Sequence, residues 1–157
     1  MRVGFTGTRE GMTLLQKQEF IKLIEHLRPT EFHHGDCVGA DVQAAELVMT
    51  QFPDIIVHCH PPKEDSGLRA HHRSHIFHDP LGYLSRNRQI VDLTDQLIAI
   101  PKETEHQSWG GTWYTVDFAQ KRSRPRYIIF PDGVVHKYIV GGNAYTWDEN
   151  GVTLAKE

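Results

Sequence analysis

Three glycine-bearing turns contain the residues best suited to chemistry in this chain of 157 residues. They are the segments 7–9 (Gly-Thr-Arg), 35–41 (Gly-Asp-Cys-Val-Gly-Ala-Asp) and 110–112 (Gly-Gly-Thr). Glycine lets backbone N–H groups approach a ligand closely, and a helix that begins after such a turn favours an anion at its N-terminus. The turns together predict a pocket for a phosphate-bearing ligand, although none of them matches a P-loop or a GxGxxG fingerprint.

The order of predicted elements explains how these turns come together. Strands are predicted at 2–6, 31–34, 55–59, 96–100 and 126–130, and amphipathic helical segments separate them. This alternation is typical of a parallel sheet with right-handed crossovers. Turns that follow parallel strands share one sheet edge, which is where open α/β sheets bind ligands. We therefore predict a three-layer α/β domain with a mostly parallel five-stranded sheet and small β additions after residue 133.

The turns and the segment 86–88 supply the predicted ligand contacts. Arg9 follows the first turn and suits bidentate contact with phosphate, with a salt bridge to Glu10 as the alternative. Arg86 and Arg88 are two residues apart and face different ways on a helix, so only Arg86 is expected to reach the pocket. The predicted ligand-binding residues are Gly7, Thr8, Arg9, Gly35, Asp36, Gly39, Asp41, Arg86, Asn87, Gly110, Gly111 and Thr112.

These segments, with 86–88 placed ahead of Asp95, resemble the motifs of the SLOG superfamily, which joins Smf/DprA-like proteins and LOG (Lonely guy) enzymes. The Thr-Arg and Gly-Ala-Asp forms are most similar to its small bacterial and phage branch, the YspA/YpsA-like proteins. The resemblance covers roughly residues 1–133. It implies a Rossmann-like domain with a pocket for a nucleotide derivative, in a homodimer.

The resemblance to LOG enzymes also implies an alternative activity, hydrolysis of the N-glycosidic bond of a nucleotide or nucleoside derivative. Those enzymes use an Arg and a Glu, and the position of the Glu is occupied here by Thr115. Such cleavage needs a carboxylate that stabilises an oxocarbenium-like centre or activates water. The candidate catalytic residues are Asp36, Arg86 and Asp117, while Asp41 either shares this role or caps the second helix.

The missing Glu favours a binding protein over an enzyme. The preferred function is therefore a sensor or sequestering protein for a nucleotide-type small molecule, with the hydrolase as the alternative. DNA binding of the Smf/DprA kind is disfavoured because 17 Lys and Arg against 20 Asp and Glu give a formal net charge of −3, without a long basic run. We expect neither a nucleic-acid partner nor a cofactor.

Aromatic residues flank the glycine pair of the third turn. Trp109, Trp113 and Tyr114 are placed so that one of them could stack on a base, although core packing is an equally good interpretation for Trp113.

Histidine is the unusual residue type, with 11 in the chain, six of them between His58 and His78. The segment 61–80 around them has little periodicity and is predicted to be irregular. Zinc needs three or four ligands in a tetrahedral set. Because no His-Glu-x-x-His motif and no cysteine pair occurs, we predict no metal site and interpret the segment as a polar lid over an anionic ligand.

The remaining expectations concern location and domain organisation. Cys37 and Cys59 cannot form a disulfide framework, so a reducing, cytoplasmic location is expected. The longest apolar run, 97–100, is too short to cross a bilayer, and no apolar stretch near the start predicts a signal peptide. We expect residues 1–133 to form the nucleotide-binding part and residues 134–157 a C-terminal β-hairpin extension of the same domain.

Overall fold

Alternating β-branched and amphipathic segments produce alternating strands and helices. The computed structural model describes residues 1–64, 67–140 and 144–154. The strands are β1 (Arg2–Gly7), β2 (Glu31–His34), β3 (Ile56–Cys59), β4 (Ile76–Phe77), β5 (Gln96–Ile100), β6 (Arg126–Ile129), β7 (Val135–Tyr138), β8 (Ala144–Asp148) and β9 (Gly151–Leu154). The helices are α1 (Leu14–Leu27), α2 (Ala40–Gln51), α3 (Tyr83–Asp92) and α4 (Gly111–Lys121).

The strands form one sheet in the order β4-β3-β2-β1-β5-β6-β7-β8-β9 over the described residues. Every pair from β4 to β6 is parallel, which confirms the predicted α/β fold with a mostly parallel sheet. All five predicted parallel strands are present. The additional parallel strand β4 lies within the segment predicted to be irregular, because two paired residues leave no periodic pattern to detect.

The C-terminal part extends this sheet at the β6 side. Each of β7, β8 and β9 pairs antiparallel with the strand before it. A turn at Asn150 and Gly151 joins β8 to β9, where Asp148 pairs with Gly151. Trp147 is buried beside Tyr127 of β6, with ring centroids 6.4 Å apart. The β additions therefore share the core of the parallel sheet.

Two apolar layers hold helices against the two faces of the sheet. On one face, residues such as Phe20 of α1 and Val48 of α2 pack against Ile98 of β5. On the other face, α3 and α4 pack against Leu97 and Ala99 of the same strand. Neighbouring residues of β5 thus point to opposite layers, as a strand requires. The three-layer architecture follows from this alternation.

Helix starts differ in how their backbone donors are satisfied. At the start of α1, the Thr13 side chain accepts from the Gln16 N–H, and the Gln16 side chain accepts from the Thr13 N–H, forming a capping box. Gly39 and Gly110 precede α2 and α4 and provide no side-chain cap.

None of the helices formed by the described residues has the length and apolar character that crossing a bilayer requires.

Candidate functional site

The loops after β1, β2 and β5 surround one cleft of about 280 Å³ at the carboxyl edge of the sheet. The first turn of α3 forms a further wall. All predicted ligand-binding residues except Asp36 and Gly39 line this cleft, namely Gly7, Thr8, Arg9, Gly35, Asp41, Arg86, Asn87, Gly110, Gly111 and Thr112. The parallel strands bring these separate motifs together because their following loops share one edge.

Backbone donors face the cleft at the start of α4. The first N–H groups of a helix lack intrahelical partners, and Gly110 supplies no side chain to satisfy them. Gly110 has a φ of 91°, a conformation that favours glycine. Together with the positive end of the helix dipole, these donors are suited to an anionic group.

Arg86 is a buried guanidinium, 4% exposed, held beneath the cleft. It donates to the carbonyl of Gly35 and, over 3.2 Å, to the carbonyl of His60. Its Nε donates to Asn87 Oδ1 at 2.7 Å, and its Nη2 lies 3.6 Å from Cys37 Sγ. The side chain therefore ties the loop after β2 and the end of β3 to α3.

Asp41 is a buried carboxylate beside this guanidinium. Its Oδ2 accepts from the N–H of Gly35 at 3.1 Å and of Cys37 at 3.3 Å, so it stabilises the turn that leads into α2. Burial raises the pKa of Asp41 to about 6, against the opposing attraction of Arg86. The cleft therefore contains a carboxyl group that changes charge close to neutral pH.

Exposed side chains complete the cleft. Arg9 lies with its guanidinium carbon 5.8 Å from the ring centroid of Tyr83, and Arg86 lies 5.6 Å from the same centroid. Glu10 pairs at 2.8 Å with Lys102, so it does not take the salt bridge to Arg9 that the sequence offered as an alternative. Trp109 lines the cleft and is 61% exposed. The site thus combines cations with open aromatic surface.

The other aromatic residues of this region have different surroundings. Trp113 is 2% exposed, packs in the core and donates its Nε1–H to Glu103 at 3.0 Å, as the core-packing interpretation predicted. The hydroxyl of Tyr114 accepts from Arg88 at 2.8 Å. Sequence reasoning missed Tyr83 as a lining residue. Its position three residues before Arg86, on the same helix face, was the available signal.

The structure places Asp36, Gly39 and Asp117 away from the cleft lining. The buried Asp36 turns its carboxylate to Arg69 Nε and to the His72 N–H, both at 2.9 Å. Its φ of 57° directs the side chain away from the cleft. Asp117 forms an exposed hydrogen bond with His106 Nε2 at 2.8 Å. Asp36 and Asp117 are therefore not brought to the cleft beside Arg86, whereas Asp41, the other carboxylate considered for the hydrolase, does lie there.

Gly39 has a packing role in the structure. A Cβ on Gly39 would lie 2.3 Å from the Arg9 carbonyl oxygen, so only glycine allows the loops after β1 and β2 to meet. Thr115, at the position of the LOG glutamate, is buried and donates its hydroxyl hydrogen to the Gly111 carbonyl at 2.8 Å. It stabilises the first turn of α4 and leaves that position without a carboxylate.

The fold defines a Rossmann-like α/β protein with a cleft at the carboxyl edge of its sheet. No protein-family model and no curated protein matches the chain. Among solved structures it is similar to DNA processing protein A from Helicobacter pylori, with a TM-score of 0.55 and 16% sequence identity. The match covers 82% of this chain and 64% of that one, so this chain spans slightly under two thirds of its structural neighbour.

The neighbour shares the Smf/DprA type of fold that the motifs predicted, and its structure was described for its single-stranded DNA binding mode. This likeness contradicts the expectations that the ligand is a free nucleotide-type molecule and that nucleic acid is disfavoured as a partner. The hydrolase alternative has no support from it either. The expectation about nucleic acid was based on the net charge of −3, which sums the whole chain. Binding of single-stranded DNA depends instead on the local cations and aromatic rings of one cleft.

Proposed function

We propose that this protein binds single-stranded DNA through the cleft at the carboxyl edge of its sheet. The observation that carries the proposal is that the exposed Trp109, Arg9 and the start of α4 all line one cleft. Proteins that bind single strands combine cations that contact the backbone with aromatic rings on which bases stack. The single-stranded DNA binding described for the structural neighbour supports the same assignment.

Each part of the cleft has a role in this proposal. The N–H groups at Gly111 and Thr112 and the guanidinium of Arg9 contact a backbone phosphate. Trp109 stacks on the adjoining base, since every base presents a π face. Arg86 holds the loop after β2 in place and contributes its charge from below. These residues contact the phosphate backbone and the π faces of the bases, which are common to all sequences, so little sequence preference is expected.

The direct test is fluorescence anisotropy with a labelled oligothymidylate and the wild-type chain. We expect saturable binding that weakens as salt rises, because bound cations release counterions from the strand. Thymidine monophosphate at the same phosphate concentration is expected to compete poorly, because it offers one phosphate and one base. Absence of binding at low salt, or equal competition by the mononucleotide, would contradict the proposal.

Replacing Arg9 with alanine is expected to weaken oligothymidylate binding by roughly 10- to 150-fold, the loss of a hydrogen bond to a charged group worth about 1.5–3 kcal/mol. The slope of log Kd against log salt should fall by about 0.7, corresponding to one phosphate contact on a single strand. Arg122→Ala is the matched control. Arg122 lies at the end of α4, is exposed and pairs with Asp92 of α3, so the variant removes the same charge away from the cleft. Equal losses in both variants would place Arg9 outside the site.

Protonation of Asp41 is expected to strengthen binding as the pH falls from 7 to 5. With the pKa of Asp41 raised to about 6 by burial, the negative charge beside the phosphate site disappears over this interval. The charged groups that act on it are Arg86 and Asp36. Removing one like charge near a phosphate predicts a gain of about 1 kcal/mol, roughly fivefold in Kd.

Asp41→Asn is the control for this pH effect. One oxygen accepts both backbone N–H groups in the wild type, so the amide oxygen of asparagine can retain both hydrogen bonds. The variant should bind at pH 7 as the wild type does at pH 5 and should show a flat profile. Oligothymidylate suits the measurement because neither thymine nor the phosphodiester titrates in this interval. A variant with the wild-type profile would refute the role of Asp41.

We propose further that the chain belongs to the YspA/YpsA-like branch of the SLOG superfamily, which the spacing of segments 7–9, 35–41 and 110–112 supports. The division into residues 1–133 and an extension of residues 134–157 belongs to the same proposal. The homodimer and the cytoplasmic location stay predictions.

A further inference from the structure

A block of four histidines lies beside the cleft, on the sheet face that α3 covers, where His60 Nδ1 contacts Gln89 of α3. The rings of His33 and His58 stack with centroids 4.1 Å apart, and those of His60 and His78 stack at 4.0 Å. Glu31 contacts the outer side of the block. This block, here called the histidine block, is absent from the lining of the proposed DNA site.

Strand register explains why the rings meet. His33 of β2 lies directly opposite His58 of β3 in the parallel ladder. Cys59 of β3 pairs with Phe77 of β4, so the next residues, His60 and His78, follow side by side. His58 and His60 are two residues apart and share one face. The short strand β4 is therefore what brings His78 to the others.

The hydrogen bonds determine where the ring protons of His33 and His60 lie. His33 Nε2 is 2.9 Å from Glu31 Oε1, and His60 Nδ1 is 2.8 Å from Gln89 Oε1. A carboxylate oxygen and an amide oxygen only accept hydrogen bonds, so each ring donates its N–H to that oxygen, on the side away from the other ring. The inner nitrogens, His33 Nδ1 and His60 Nε2, then face one another as lone pairs 2.7 Å apart. Two facing lone pairs at this distance repel each other, and a cation between them would remove that repulsion.

Burial disfavours a proton as that cation. His33 is 2% exposed and His60 is 0% exposed, so an imidazolium at either position would lose its hydration without gaining a fully ionised partner inside the block. Neutral imidazole nitrogens are the form that binds metal ions, and zinc takes them at about 2.0–2.1 Å in a tetrahedral set. A ligating histidine usually donates its other ring N–H to a carboxylate or carbonyl, as His33 and His60 do here.

We propose that His33, His60 and His78 bind one late first-row divalent cation such as Zn²⁺, with Glu31 and Gln89 orienting the first two rings. One ring nitrogen from each of the three histidines lies within 4.8 Å of the others. Tetrahedral zinc separates its ligand nitrogens by about 3.3 Å, so His33 and His60 move apart by roughly half an ångström on binding. The partly exposed His78 leaves the fourth position open to water or His58.

The proposal is tested by dialysing the full chain against Zn²⁺ alone and measuring bound zinc by elemental analysis. One ion per chain is expected at micromolar free zinc. The Co²⁺-loaded chain should show the intense visible absorption of a tetrahedral site. Wild-type chain that is folded yet binds no stoichiometric zinc would overturn the proposal. The Gln89 amide would then be turned so that its NH₂ donates to His60, making the block a chain of ordinary hydrogen bonds.

Variants locate the ion. His78→Gln, at the partly exposed edge of the block, is expected to abolish stoichiometric zinc binding while the circular dichroism spectrum stays unchanged. Gln89→Ala should weaken zinc by roughly 10- to 100-fold through loss of an orienting partner. His106→Gln removes an exposed histidine elsewhere and should bind zinc like the wild type. Zinc bound equally by the wild type and His78→Gln would show that the ion lies outside the block.

Discussion

Replacing Trp109 with alanine is expected to weaken oligothymidylate binding by roughly 5- to 150-fold, while the free energy of unfolding stays nearly unchanged. Stacking on an aromatic side chain contributes about 1–3 kcal/mol per base. The indole is 61% exposed in the free protein, so the fold loses little contact when it is removed. Fluorescence anisotropy and urea unfolding measure the two quantities on the same samples.

Two further variants make this result specific to stacking. Trp109→Phe retains a π face and should recover most of the affinity. Phe77→Ala removes an aromatic ring that is 54% exposed on β4, outside the cleft, and should bind like the wild type. Trp109→Ala with wild-type affinity would show that the strand does not stack at this position.

Replacing Arg86 with methionine is expected to cost about 3–5 kcal/mol of stability, the largest effect on folding predicted here. Methionine fills part of the volume but donates nothing to the buried carbonyls of Gly35 and His60. It also removes the positive charge that lowers the pKa of Asp41, so that this carboxyl stays protonated to higher pH. Urea unfolding with an unchanged m-value gives the difference.

Arg88→Met on the same helix is the matched control. Its guanidinium donates to the hydroxyls of Tyr114 and Ser85 on the more exposed side of α3, and we expect a loss below about 1 kcal/mol. The double variant Arg86→Met with Asp41→Asn should lose less than the sum of the single changes, because it leaves no buried carboxylate without its cation. Similar stability losses for Arg86→Met and Arg88→Met would refute the structural role of Arg86.

The parallel sheet was predictable because its strands are apolar runs separated by clear turns. Segment 96–100 is buried on both faces, and its nearly continuous apolar sequence by itself predicts a strand. The edge strand β4 was not predictable, since two residues carry no periodicity and its pairing with β3 depends on the register of the whole sheet. The same register places His78 beside His60, a contact between residues 18 positions apart in the chain.

The sequence by itself determined which loops contribute to the cleft, because the loops that follow parallel strands lie on one edge whatever the side chains are. It could not determine where each carboxylate points. The turn 35–41 contains two aspartates, and only the folded chain turns Asp41 to the cleft and Asp36 to Arg69 and His72. Side-chain direction there depends on a positive φ at Asp36 and on partners that are distant in sequence. Composition counts charges but does not place them, whereas the tertiary structure puts Arg9 and the exposed Trp109 into the lining of one cleft.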